Sequence, residues 1–277
     1  MTFAPPFHRV AEHVDRRMLG AVQFVDAVTG LPITMAAQVE VRGATLENGA
    51  PPVALPLSER SVQIRQNRSG LHAILRAPFY DEYAATFDAP QNPPGRLRLR
   101  LAVTDAGPDY LPQEFAITLP RSLDPADADS VRRPVRVGLF RAPGAPVLGG
   151  WSVLRVRVAD NASRGLPGVL VRVFRSPRAA GDRAIGQGMS EWRGGLRGEA
   201  LVAVADLPRF RPGGGGNVFE TEQVIVIEAL RDPNFTGARD RFPDLTSILA
   251  GPSVSIIPPA APNLRAGRET TASITMP

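Results

Sequence analysis

From residue 21 onward, apolar and polar side chains alternate with a period of two, the spacing of strands that bury one face. The clearest run is Arg96-Leu97-Arg98-Leu99-Arg100-Leu101, which puts leucines on one face and arginines on the other. Similar runs at 21–25, 37–42, 61–65, 71–75, 83–87, 96–104, 115–119 and 135–140 predict a first series of strands. A Pro/Gly-rich stretch at 141–150 reads as a hinge. The pattern then resumes at 152–158, 169–174, 184–189, 200–204, 223–229, 254–257 and 271–276. Helical spacing shows only near the start, where Val10, Val14 and Met18 recur at i, i+4 and i+8 after Pro5-Pro6. That segment predicts a short helix or arm.

The two series resemble each other. The first opens on a strand closed by Asp26, then a turn with Gly30-Leu31-Pro32, then a second strand. The second opens on a strand closed by Asp160, then Gly165-Leu166-Pro167, then a strand. Ser69-Gly70-Leu71 is matched by Arg197-Gly198-Glu199, and Phe115 to Pro120 by Val254 to Pro258. The reading is an all-β chain of two tandem antiparallel β-sandwiches: an arm over 1–19, a first sandwich over 20–141 and a second over 142–277. The second carries two long loops, 206–222 and 232–252, a length that in compact domains points to contact or function.

The unit strand–Asp–turn–Gly–x–Pro–strand, followed later by a glycine before an outward strand, resembles the carboxypeptidase-regulatory, transthyretin-like (Ig-like) β-sandwich family. Asp26, Gly30, Pro32 and Gly70 fill that pattern in the first copy, and Asp160, Gly165, Pro167 and Gly198 in the second. The resemblance implies accessory modules that pack against other proteins without chemistry of their own. A hydrolase variant of that sandwich ends in a Tyr-Arg-Gly-Ser signature, whereas this chain ends Thr275-Met276-Pro277. Asp105-Ala106-Gly107-Pro108-Asp109-Tyr110 is similar to the tyrosine corner of immunoglobulin-type sandwiches, with one residue more.

Composition agrees with short strands joined by turns. Of 277 residues, 26 are Gly and 28 Pro, which leaves few uninterrupted helical windows, while 43% are hydrophobic and can fill a core. All 32 basic residues are arginine, spread along the chain among 27 acidic ones, so the net charge of +5 has no focus of the kind nucleic acid requires. There is no cysteine, which excludes disulfides, thiolate metal sites and cysteine nucleophiles. The opening lacks a basic stretch followed by an apolar run, and no apolar run approaches the ~18 residues of a membrane span. The expected place of synthesis is the cytoplasm, without membrane insertion, and export inside a larger particle stays open.

No catalytic constellation emerges. His8 and His13 lack the i, i+4 spacing of paired zinc ligands, and His72 sits in a strand. There is no G-x-S-x-G elbow, and Gly213–Gly216 is not followed by the Lys-Ser/Thr of a phosphate loop. Asp124, Asp127 and Asp129 fail the calcium-loop pattern, and Asp81-Glu82 reads as a strand-end turn. No metal and no cofactor is expected. Candidate interface residues are the Arg96, Arg98 and Arg100 stripe, which fits an acidic partner, and the aromatics Trp192, Phe210, Phe219 and Phe235 in the second-half loops. Trp151 reads as core or interdomain packing.

The expectation is therefore a non-catalytic structural protein, part of a phage-tail-like particle or contractile injection system, whose partners are other subunits and in one option a second copy of itself. The alternative is a surface adhesin or carbohydrate-binding sandwich.

Overall fold

A computed structural model describes residues 18–47, 52–56, 62–78, 80, 95–192, 197–205, 207, 222–237, 241–256 and 260–277. The first half holds β1 (Gly20–Asp26), β2 (Gln38–Glu47), β3 (Val53–Leu55), β4 (Gln63–Gln66), β5 (Leu71–Arg76), β6 (Arg96–Asp105), β7 (Gln113–Leu119) and β8 (Val135–Leu139). The second holds β9 (Ser152–Asp160), β10 (Leu170–Arg175), β11 (Gly186–Met189), β12 (Glu199–Val204), β13 (Glu222–Leu230), β14 (Ser253–Ile256), β15 (Asn263–Arg265) and β16 (Glu269–Met276). Among the described residues one short helix, α1 (Leu245–Leu249), precedes β14. Among the described residues, no helix is long and apolar enough to cross a membrane.

The strands form four sheets, and the sheets pair face to face. Sheet β4-β5-β1-β8 lies against β3-β2-β6-β7, and Val22, Phe24 and Ile74 of one meet Leu97, Leu99 and Leu101 of the other in a single core. Sheet β12-β9-β16 lies against β11-β10-β13-β14, where Leu154, Val156 and Val202 meet Val171, Val173 and Ile227. Apart from β4 and β15, the strand order is shared by both halves, with β1, β5 and β8 corresponding to β9, β12 and β16, and β3-β2-β6-β7 to β11-β10-β13-β14. Pairing is antiparallel except at one place in each half, where the last strand runs parallel to the first: β8 beside β1 and β16 beside β9.

The period-two runs coincide with these strands to within a few residues. The strands without a forecast, β3 and β15, have three residues each, too few to display a period. Short α1 is set by its cap: the Asp244 carboxylate accepts from the Thr246 amide at 3.1 Å and the Ser247 hydroxyl at 2.9 Å. The forecast N-terminal helix and the strand at 83–87 lie outside the described residues.

The repeated motif has a physical basis. Asp26 Oδ1 accepts the Val28 and Thr29 amides at 2.8 and 3.0 Å, and Asp160 Oδ1 accepts the Ala162 and Arg164 amides at 2.9 Å, so each carboxylate shapes the turn after the first strand. A later glycine then passes close to that turn with positive φ. A Cβ on Gly70 (φ +80°) would stand 2.6 Å from the Ile33 carbonyl oxygen, and one on Gly198 (φ +84°) 2.6 Å from Gly165 Cα. The two Gly-Leu-Pro triplets are not equivalent in space. Val25 bridges to Pro32 but Ala159 bridges to Gly165, so the triplets are offset by two residues.

The halves are fastened together. Ala102, Leu111 and Phe140 of the first half share a cluster with Leu170, Met189, Trp192, Leu230, Phe242 and Ile248 of the second. The 141–150 stretch, read as a hinge, is tied down: the Ala142 amide donates to the Asp109 carbonyl at 2.9 Å, Arg155 donates to the Pro143 carbonyl at 2.6 Å, and Ala145 packs with Val153 and Leu201. It lies as a strap on the outer face of β9 and β12.

The glycine contacts set an order of sensitivity. Gly30 also has positive φ (+68°) but open space around its Cβ position, so Gly30→Ala costs about 1 kcal/mol of backbone strain. Gly198→Ala adds backbone overlap and is expected to cost more than about 3 kcal/mol. Thermal melts of the two variants check this ranking.

Candidate interaction surfaces

The arginine stripe takes its place on β6. Leu97, Leu99 and Leu101 are fully buried, while Arg96 and Arg100 are exposed and Arg98 half-buried on the outer face of β3-β2-β6-β7. Opposite Arg98 stand Thr45 of β2 and Thr118 of β7, both neutral. Among the described residues neither Arg96 nor Arg98 makes an ion pair. Arg100 stands 4.0 Å from Glu114. Burial pushes the Glu114 carboxyl above its ordinary value, helped by Asp244 and opposed by Arg100, Arg42 and Arg241.

One end of this face is covered by the second half. The Glu114 amide donates to the Pro243 carbonyl at 2.9 Å, and the Arg42 guanidinium lies 4.8 Å above the Phe242 ring. The corresponding outer face of the second half is closed differently. There Glu228 is gripped by Arg172 at 2.5 Å and Arg178 at 3.2 Å, and Arg178 stacks 3.7 Å from the Phe174 ring centre. On this face the arginines of the two halves therefore differ: Arg172 and Arg178 are paired, whereas Arg96 and Arg98 make no ion pair among the described residues.

The aromatic candidates have a different fate. Trp192 is 4% exposed and meets Phe235 edge-on, with ring centres 6.0 Å apart. Phe235 is half-buried and fills the space over Gly168, where a Cβ would come within 2.5 Å of the ring. Both belong to the junction between the halves, so the reading of Trp192 and Phe235 as anchors for an outside partner is corrected: the chain uses them on itself. The wide gap in sequence between Trp192 and Phe242 hid this. Phe210, Phe219 and the tetraglycine lie outside the described residues. The loop after Asp232 contains α1 and lies over the junction, with Ile248 fully buried.

A buried polar knot adjoins the same junction. Asp26, 3% exposed, accepts the Tyr110 hydroxyl at 2.9 Å and Arg141 Nε and Nη2 at 2.9 and 2.7 Å. Arg141 also lies 5.8 Å from the Tyr110 ring centre and 5.0 Å from that of Trp151. Burial works to raise the Asp26 carboxyl but is outweighed by the Thr29 and Val28 amides, Tyr110 and Arg141, which hold it below the usual carboxylate range. Burial, then the hydrogen bond to Asp26 and its charge, pushes the Tyr110 phenol up to about 12. Tyr110 therefore closes its corner on a carboxylate from β1 rather than on backbone upstream. The Asp-turn and the tyrosine segment were each visible in the sequence; their meeting with Arg141 was not.

The remaining polar candidates are engaged locally. His72 is 3% exposed, lies edge-on to Phe24 at 4.9 Å and has Nε2 at 3.2 Å from the Ala37 carbonyl. Burial lowers its pKa below 6.5, against hydrogen bonds to Ala37 and Gly70 that raise it. His8, His13, Asp81 and Glu82 lie outside the described residues. Asp129 pairs with Arg121 at 2.8 Å, Asp127 accepts the Ser122 hydroxyl, and Asp124 accepts the Ala126 amide at 2.8 Å, so the three carboxylates serve separate partners in one turn. Among the described residues no group of three metal-ligating side chains converges. A depression of about 260 Å³ lies beside the strap on the outer face of β12-β9-β16, where Arg155, Arg157, Glu199, Thr271 and Ser273 stand among apolar residues such as Pro143.

No family model and no curated protein matches the chain. Among solved structures it is similar to the Bacillus anthracis TIE protein, at 8% identity and a TM-score of 0.19 over 94% of this chain and 33% of that one. It is also similar to a mutant of the shaft pilin spaA from Lactobacillus rhamnosus GG, at 11% identity and a TM-score of 0.16, over 92% and 96% of the two chains. The chain thus spans about a third of the length of the first.

Arg141→Ala leaves the Asp26 charge buried without its cation, a loss of about 3 kcal/mol. It is expected to speed thermolysin cleavage between residues 141 and 151 into two fragments of similar size, against a resistant wild type. Because the folded His72 takes up its proton at lower pH than the unfolded chain, its contribution is complete above 6.5 and declines as the pH falls below it. Melting temperatures should drop between about pH 7.5 and about pH 5.5, and His72→Gln should flatten that part of the profile.

Proposed function

We propose that this chain is a non-catalytic structural protein that acts through protein–protein contacts as a rigid spacer, a subunit of a phage-tail-like particle or contractile injection system. The observation that carries the reading is the junction. Two sandwiches of one strand order are clamped by a shared apolar cluster, a buried Asp26–Arg141 pair and a packed strap, which suits a part that transmits position rather than one that opens on a ligand. The resemblance of both copies to carboxypeptidase-regulatory, transthyretin-like modules fits the same role, by analogy of fold. The Arg96, Arg98 and Arg100 face is its docking surface for an acidic neighbour, because Arg96 and Arg98 make no ion pair among the described residues, whereas on the corresponding face of the second half Glu228 pairs with Arg172 and Arg178. A glycan-binding role would call for exposed aromatic rings. Among the described residues the large exposed apolar side chains are aliphatic, such as Leu31, Met35 and Leu148.

Density-gradient sedimentation of lysate from the native source, with the protein followed by mass spectrometry, tests the assignment. Co-migration with megadalton particles is expected, and Arg98→Glu should release the protein from them while its circular dichroism stays unchanged. Recovery as a 29.7 kDa species, or with the cell envelope, would overturn it.

A further inference from the structure

The sheet edges of this protein are not equally protected. An edge strand offers unpaired N–H and C=O groups, and proteins blunt that hazard by shortness, bulges, charge or cover. β3 has three residues and β14 four, and β4 has four with a register shift. β7 is met by the Pro243 carbonyl, and β12 is covered by β11, where Ser190 bridges to Ala200 and a Cβ on Gly188 would stand 2.2 Å from the Leu201 carbonyl oxygen. β16 has none of these devices. It runs eight residues in unbroken register with β9, contains no proline, and carries one charged side chain, Glu269, already paired with Arg155 at 2.9 Å. Among the described residues nothing pairs with its outer edge.

The register tells which groups are free. The Val153 amide donates to the Arg268 carbonyl at 2.9 Å, and Glu269 stands opposite Val153. Backbone groups alternate sides along a strand, so Thr270, Ala272, Ile274 and Met276 spend theirs on β9. Glu269, Thr271, Ser273 and Thr275 present theirs outward. Their side chains are exposed, while Ile274 and Met276 are buried in the second core.

We propose that β16 pairs antiparallel with β16 of a second copy, about a two-fold axis at Ala272, so that the two β12-β9-β16 sheets become one. This register sets Thr271 opposite Ser273 and Glu269 opposite Thr275, each twice, and every free N–H and C=O of those residues finds a partner. No like charges face each other, hydroxyls oppose hydroxyls, and the residue at the axis is small. A register shifted to Ser273 would bring Pro277, which has no N–H, opposite Glu269. The pairing does not depend on the assembly reading above, since it concerns the isolated chain.

Analytical ultracentrifugation of the purified full chain tests it, with a species of twice 29.7 kDa expected. Ser273→Pro removes a free-edge N–H without touching the β9 ladder and is expected to give a monomer with unchanged circular dichroism. Ser273→Lys, a charged edge, gives the same result should proline disturb the strand. The chain has no cysteine, so single cysteines report the register. Facing Ala272 Cα atoms would be about 4.5 Å apart as a non-hydrogen-bonded pair, within disulfide range. Ala272→Cys is expected to cross-link into dimers on oxidation, and Thr275→Cys is not. A wild type that stays monomeric at every concentration, a dimer that survives both Ser273 substitutions, or cross-linking through Thr275→Cys in place of Ala272→Cys would overturn the proposal.

Discussion

Asp26 is the point on which the arrangement of the two halves turns. Its Oδ1 shapes the turn out of β1, and its Oδ2 receives the Tyr110 hydroxyl and the Arg141 guanidinium. A carboxylate this deeply buried is tolerable only when its lone pairs are filled and a cation lies beside it. Arg141 is also the first residue of the strap, so satisfying Asp26 fixes where the chain leaves the first sandwich. From there Pro143 and Ala145 are laid on β9 and β12, and the apolar cluster around Trp192 and Phe242 closes against Phe140 and Leu111.

The second copy shows what the same motif does when it has nothing to join. Asp160 caps its turn with the same oxygen, but its other oxygen takes Arg164, four residues on and largely in solvent. The outer faces diverge in the same manner. On β6 the outward residues include Arg96 and Arg98, which make no ion pair among the described residues, and Arg100, beside Glu114. On β13 they include Val226 and Glu228, both buried, the second held by Arg172 and Arg178. The strand framework recurs while the residues that point away from the cores differ.

The core was legible in the chain because strand periodicity is a local property. Leu97, Leu99 and Leu101 announce their buried face by alternation alone, and Asp26 with Gly70, like Asp160 with Gly198, announces a turn and the strand that must pass close to it. The sequence by itself therefore determined most of the strands and the face that each of them buries. Only the tertiary structure decided which exposed-looking residues remain exposed. Trp192 and Phe235 read as anchors for a partner, yet they close the junction, because residues dozens of positions away arrive over them. The Gly-Leu-Pro triplets match as text and differ by two residues in space, since bridge partners across a turn are set by backbone hydrogen bonds and not by residue names. The free edge of β16 is likewise a fact of strand order. Alternation shows which side chains point inward, but which strand has no neighbour is settled only when all of them have been placed.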